Sequence, residues 1–122
     1  MVAQLVGLLV GLLAGPRTVA SGPDAGAAGR PSFARDVAPV LARWCVRCHG
    51  PRAQGGGLRL DGYAALMRGG DSGPPVIAGD AASSLLMAKV ERRDRPPMPP
   101  RRALPAALVA RLRVWIQDGA GP

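Results

Sequence analysis

The chain has 122 residues and a formal charge of +8, from fifteen arginines and a single lysine against eight acidic residues. That length leaves room for one small domain, and no interleaving of basic and aromatic residues supports the nucleic-acid partner that such a charge could imply. Four aromatics (Phe33, Trp44, Tyr63 and Trp115) set against 17 glycines and 13 prolines are too few to fill a core, so a bound group or a covalent staple is expected to supply the missing interior.

In chain order, Met1 to Gly15 is an apolar run broken by Gln4 and followed by small residues. It reads as a secretory leader over 1–20 with cleavage after Ala20, although no basic residue precedes the apolar stretch and Arg17 follows it. The alternative is an uncleaved anchor, and the protein is expected to touch a membrane only in that case. Residues 21–31, SGPDAGAAGRP, have the composition of a flexible linker. The folded domain is then 32–122.

Phe33, Val37, Val40, Leu41 and Trp44 recur at helical spacing, with Asp36 as the expected cap and Pro39 tolerated in the first turn. This helix runs directly into Cys45. A glycine-rich loop, GPRAQGGG, follows. Next, Asp61 is expected to cap a short helix carrying Leu66 and Met67, which Gly69 stops. Beyond a turn-rich link, Asp80 is expected to cap a third helix through Ser84, Leu85, Leu86, Met87 and Val90. The segment ERRDRPPMPPRR cannot be helical, because each proline removes a donor and restricts the residue before it. A last helix begins at Pro105, places Leu108, Leu112, Trp115 and Ile116 on one stripe and ends at Gly119. With no useful alternating stretch, the expected fold is all-α: about four short helices joined by long irregular loops.

The chemistry concentrates in WCVRCHG, Trp44 to Gly50, which holds both cysteines and the only histidine. A closed zinc site needs four ligands, and Cys45, Cys48 and His49 supply three. A thioredoxin-type pair belongs at a helix start in a sheet fold, and here the pair follows a helix; a simple disulfide is the remaining cysteine-only reading. The third reading is covalent haem, for which C-x-x-C-H is the attachment signature. Two thiols bond one edge of the porphyrin and the adjacent imidazole becomes the proximal iron ligand. It uses every Cys and His in the chain without calling for a fourth protein ligand, and a porphyrin also supplies the interior that four aromatics cannot.

A methionine thioether is the usual second axial partner in electron-carrying haems. Met67 and Met87 sit on amphipathic helices where methionine normally fills core space. Met98, held stiffly within PPMPP, is the expected distal ligand. Arginines flanking the motif and Met98, among them Arg47, Arg59, Arg92 and Arg102, are expected to pair with haem propionates in one or two cases and otherwise to be solvated.

Together, FARDVAPVLARWCVRCHG, GGGLRLDGYAALMRGGDSGPPVIAGD, SSLLMAKV, MPP and VWIQDGA resemble the planctomycete-type cytochrome c domain and, more distantly, the class I cytochrome c fold, over about residues 32 to 120. The resemblance implies a single covalent haem c on Cys45 and Cys48, with His49 proximal and Met98 distal. The expectation is a periplasmic, monomeric electron carrier with acidic redox protein partners, and not an enzyme unless displacement of Met98 allows weak peroxidase activity. Two other readings stay open: a gas- or peroxide-binding sensor module, and a docking domain in which haem is mainly a folding staple. In each case the haem-free chain is expected to be largely unfolded.

Overall fold

The computed structural model describes residues 29–122 and, on its own, Gly15; the expected leader and most of the linker lie outside the described residues. The first element is capped by Ser32, whose hydroxyl accepts the Arg35 N–H at 3.2 Å while Asp36 reaches back to the Ser32 N–H at 2.8 Å. This reciprocal pair works as a capping box does, with the acid at the fourth helical position instead of the third. Ser32, not Asp36, is thus the cap, because the hydroxyl stands one turn ahead of the free amides and the carboxylate is already inside the helix. A wide π-helical turn over Phe33–Val37 leads into helix α1, Ala38–Trp44. The widening falls just before Pro39, which has no N–H to offer the Arg35 carbonyl.

Helix α2, Tyr63–Arg68, begins after Gly62 without a side-chain cap. Asp61 does not cap it, since its carboxylate pairs with Arg59 at 2.6 Å. The stop is as expected: Gly69 takes φ +81°, and a Cβ there would collide with the Gly73 carbonyl. Asp80 accepts from the Ser83 N–H at 3.1 Å and so caps the turn ahead of helix α3, Leu85–Val90, rather than the helix itself. Ser84 stands between them, fully buried but satisfied. Its hydroxyl accepts the Ile77 N–H and donates to the Asp80 carbonyl, both at 2.8 Å. Helix α4, Ala106–Gln117, follows Pro105 and ends before Gly119 at φ +111°.

Among the described residues there are no strands, only isolated bridges at His49–Gln54 and Gly70–Gly73, and a short 3₁₀ turn at Gly55–Gly57. Over these residues the fold is all-α, with four short α-helices.

Helix α4 packs on the π-turn at the start of the domain and on α3. Leu41, Leu66, Met87, Leu112, Trp115 and Ile116 are fully buried at this junction. Phe33 meets Tyr63 edge-on at 5.5 Å and Trp115 at 6.0 Å. The polar ends of two rings are tied to the chain's end: Trp115 Nε1 donates to Gly121 O at 2.7 Å and the Tyr63 hydroxyl to Ala120 O at 2.8 Å. The C-terminus is thereby fastened against the domain's first turn.

Candidate haem site

Helix α1 ends by turning the motif back on itself. The Cys45 and Val46 amides both donate to Leu41 O, and the Cys48 and His49 amides both donate to Cys45 O, at 2.8 to 3.1 Å. This tight turn sets Cys45, Cys48 and His49 around one end of the helix. The glycine loop then closes on it, with the Gly55 N–H donating to Cys48 O at 2.9 Å and the Leu60 N–H to His49 O at 2.7 Å.

The imidazole is oriented by the same loop. His49 Nδ1 lies 2.9 Å from Gly55 O. A carbonyl can only accept, so Nδ1 carries the proton, and in the neutral ring the lone pair falls on Nε2. That is the arrangement in which an imidazole binds a metal while its other nitrogen is held by a second partner. Position 55 has little room for more than glycine, since a Cβ would stand 3.3 Å from the His49 ring. The GGG run signalled a loop in the sequence but not this contact.

Cys45, Cys48, His49 and Met98 all line one cavity of about 580 Å³, within the range of sites that enclose a small organic ligand. Its walls are largely apolar, with Leu58, Leu60, Pro75, Leu86 and Val90 among them. Met87 is fully buried in the core, Met67 is half-buried beside it, and neither lines the cavity. Among the described methionines, Met98 is the one that lines the cavity. Both thiols are free, Cys48 exposed and Cys45 half-buried. Burial, with a smaller contribution from Cys48, pushes the Cys45 thiol up to about 11.

A porphyrin fits these residues on several counts. The space is large and apolar, two free thiols and an imidazole with an available Nε2 face it from one side, and a thioether faces it from elsewhere in the chain. Trp44 also lines the cavity, and its Nε1–H is buried with no acceptor in the protein. An orphaned buried donor costs about 1–3 kcal/mol, which a guest bearing carboxylates would relieve. The zinc reading fares worse: no three His, Cys, Asp or Glu side chains among the described residues are grouped to hold a metal ion.

The sequence reading missed Trp44, Arg43 and Lys89 as cavity residues. The ring of Trp44 is flanked by the guanidinium carbons of Arg43 at 5.6 Å and Arg102 at 5.3 Å. Of the arginines expected near propionates, Arg47 lines the cavity. Arg59 is engaged by Asp61 and Arg92 by backbone carbonyls of the Met98 segment.

A helical domain closed around an apolar cavity, with a C-x-x-C-H turn on its wall, defines the class of domains built to hold a covalently attached haem. The family described as Planctomycete cytochrome C matches residues 45–102, from the first thiol to just past Met98. That match supports a planctomycete-type cytochrome c domain over these residues. The match is shorter than the expected span of 32 to 120 and leaves α1 and α4 outside it. No curated protein and no solved structure matches the chain. No helix among the described residues is long and apolar enough to cross a membrane.

Proposed function

We propose that the domain is an exported, periplasmic electron carrier holding one haem c, with Cys45 and Cys48 as covalent attachment points, His49 as proximal ligand and Met98 as distal ligand. The observation that carries this reading is the convergence of all four side chains on a single apolar cavity. Bound there, haem supplies a one-electron iron couple. The rest is the work of the chain. The two cysteines anchor the group by one edge, Gly55 O fixes the imidazole tautomer, and Leu58, Leu60, Leu86 and Val90 keep water from the iron's surroundings. With His and Met on both axial positions no site is left for substrate, so the domain is an electron carrier and not an enzyme. Exposed arginines around the cavity favour an acidic redox protein as partner, met by a monomer.

The test is expression alongside a haem-attachment system. The expected product is red, heavier than the bare polypeptide by one haem, and keeps its haem through acid extraction. It takes up one electron reversibly and shows a sulfur-to-iron band that Met98→Ala removes, with a lowered potential and the haem still attached. A colourless product of bare polypeptide mass overturns the assignment. A red product with no sulfur band and an iron open to carbon monoxide favours a gas-binding module.

A further inference from the structure

Four of the six residues from Arg95 to Pro100 are proline. Prolines carry no N–H, so this segment has few donors of its own and its carbonyls have to be held from outside. Two cationic side chains at the end of α3 hold them. Lys89 Nζ donates to Arg95 O and Pro96 O, each at 3.1 Å, and lies 3.0 Å from Asp94 Oδ2. All three ammonium protons are thereby used. Beyond Met98, Arg92 donates to Pro99 O at 2.6 Å and Pro100 O at 3.4 Å. Between the two, the Met98 N–H donates to the Lys89 carbonyl at 3.2 Å. Lys89 is the single lysine in a chain with fifteen arginines, and its side chain is only 20% exposed. A compact ammonium serves acceptors spread around one point, which a planar guanidinium fork does not match.

Resting on the reading of Met98 as distal ligand, we propose that Lys89 and Arg92 are positioning residues for it. They form a two-sided clamp on the carbonyls flanking Met98 that keeps the thioether in the cavity and the sixth iron position closed to small ligands. Neither residue needs to touch iron. They act by setting how often the segment opens, and an entering ligand binds in proportion to that open fraction.

The experiment titrates the ferric haem-loaded protein with imidazole while following the sulfur-to-iron band, in wild type, Lys89→Leu, Arg92→Asn and the double variant. Leucine keeps part of the aliphatic stem of Lys89, which lines the cavity, without its donors and without adding a second thioether there. Asparagine suits the left-handed backbone at position 92, where φ is +64°, so the guanidinium is lost without added strain. Each single change is expected to tighten imidazole binding about tenfold and the pair about a hundredfold, the scale of charged hydrogen bonds. The helical signal and the attached haem stay as in wild type. Ile116→Val, a destabilising change at the packed end, is the control and is expected to leave imidazole affinity within about twofold. A double variant with wild-type band and affinity overturns the clamp, as does an equal gain in Ile116→Val. A wild-type protein without the sulfur band overturns the Met98 reading beneath it, so the wild-type spectrum tells the two failures apart.

Discussion

The two ends of the domain are built on opposite terms. Around Phe33, Tyr63, Leu112, Trp115 and Ile116, the side chains fill the interior themselves and the ring N–H and O–H groups find carbonyls at the chain's end. Around Trp44, Cys45, His49 and Met98, side chains of similar character surround about 580 Å³ of space, and a buried donor on that wall, the Trp44 Nε1–H, has no protein acceptor. The packed end is complete as a polypeptide; the cavity end is complete only with a guest. A small helical domain can thus place its few large side chains at one end and leave the other to a cofactor.

Removing the guest is expected to have the largest effect. In the double variant Cys45→Ser/Cys48→Ser, haem is lost on acid extraction, the melting midpoint falls steeply, and hydrogen exchange at the cavity end becomes fast. Whatever protection survives is expected in 33–44 and 106–117. Slow exchange throughout 45–102 in the haem-free chain contradicts the comparison.

Breaking the packed end comes next. Trp115→Ala removes a fully buried ring and its bond to Gly121 O, at a cost of about 3–5 kcal/mol. Denaturant titration of the haem-loaded variant measures that loss. Its sulfur-to-iron band is expected to match wild type wherever the protein stays folded, because the ring does not line the cavity.

Thiol chemistry gives a third, smaller handle, confined to the haem-free chain. Burial raises the Cys45 thiol to about 11, so folding favours its neutral form. That contribution is complete below the ordinary thiol value of about 8.5 and is lost as pH rises toward the folded value. Because the cavity end is expected to open without haem, Cys45 and Cys48 are expected to react with iodoacetamide at pH 8 at similar rates, and slower reaction of Cys45, read by mass mapping, would show that the motif turn keeps this thiol buried unaided. With haem attached, both sulfurs are thioethers and this alkaline loss should vanish.

The smallest effect concerns the capping box. The Arg35 guanidinium and the Ser32 N–H hold the Asp36 carboxyl below its usual range. A lowered folded value stabilises above the ordinary Asp value of about 3.9 and is lost as pH falls through the folded one. Because the group is solvent-screened, Asp36→Asn is expected to shift the neutral-pH melting midpoint only slightly and to flatten its acid dependence. A midpoint drop as large as that of Trp115→Ala would place the cap among the main supports of the packed end.

Much of the domain was legible in the chain itself. Apolar spacing marked all four helices, prolines marked the segment that could not be one, and Gly69 and Gly119 marked two of their ends, because these signals act within a turn or two of backbone. The motif residues were legible for the same reason: two thiols and an imidazole within five positions leave few chemistries open. The caps were less so. Asp61 has the right chemistry, but Arg59 claims its carboxylate, and Asp36 stands inside the helix that Ser32 caps, reaching back to the Ser32 N–H; sequence does not say which of two nearby polar residues takes the cap.

Tertiary structure alone decided what the motif faces. That Met98, and not Met67 or Met87, shares a cavity with His49 depends on how α3 and the proline segment return across the chain, which brings residues 49 positions apart in sequence to one cavity. That Gly55 fixes the imidazole, that Trp44 keeps an unpaired donor and that the single lysine holds the methionine segment were also beyond the sequence. Local backbone preferences are written residue by residue, whereas a cavity and its clamps arise only when distant segments meet.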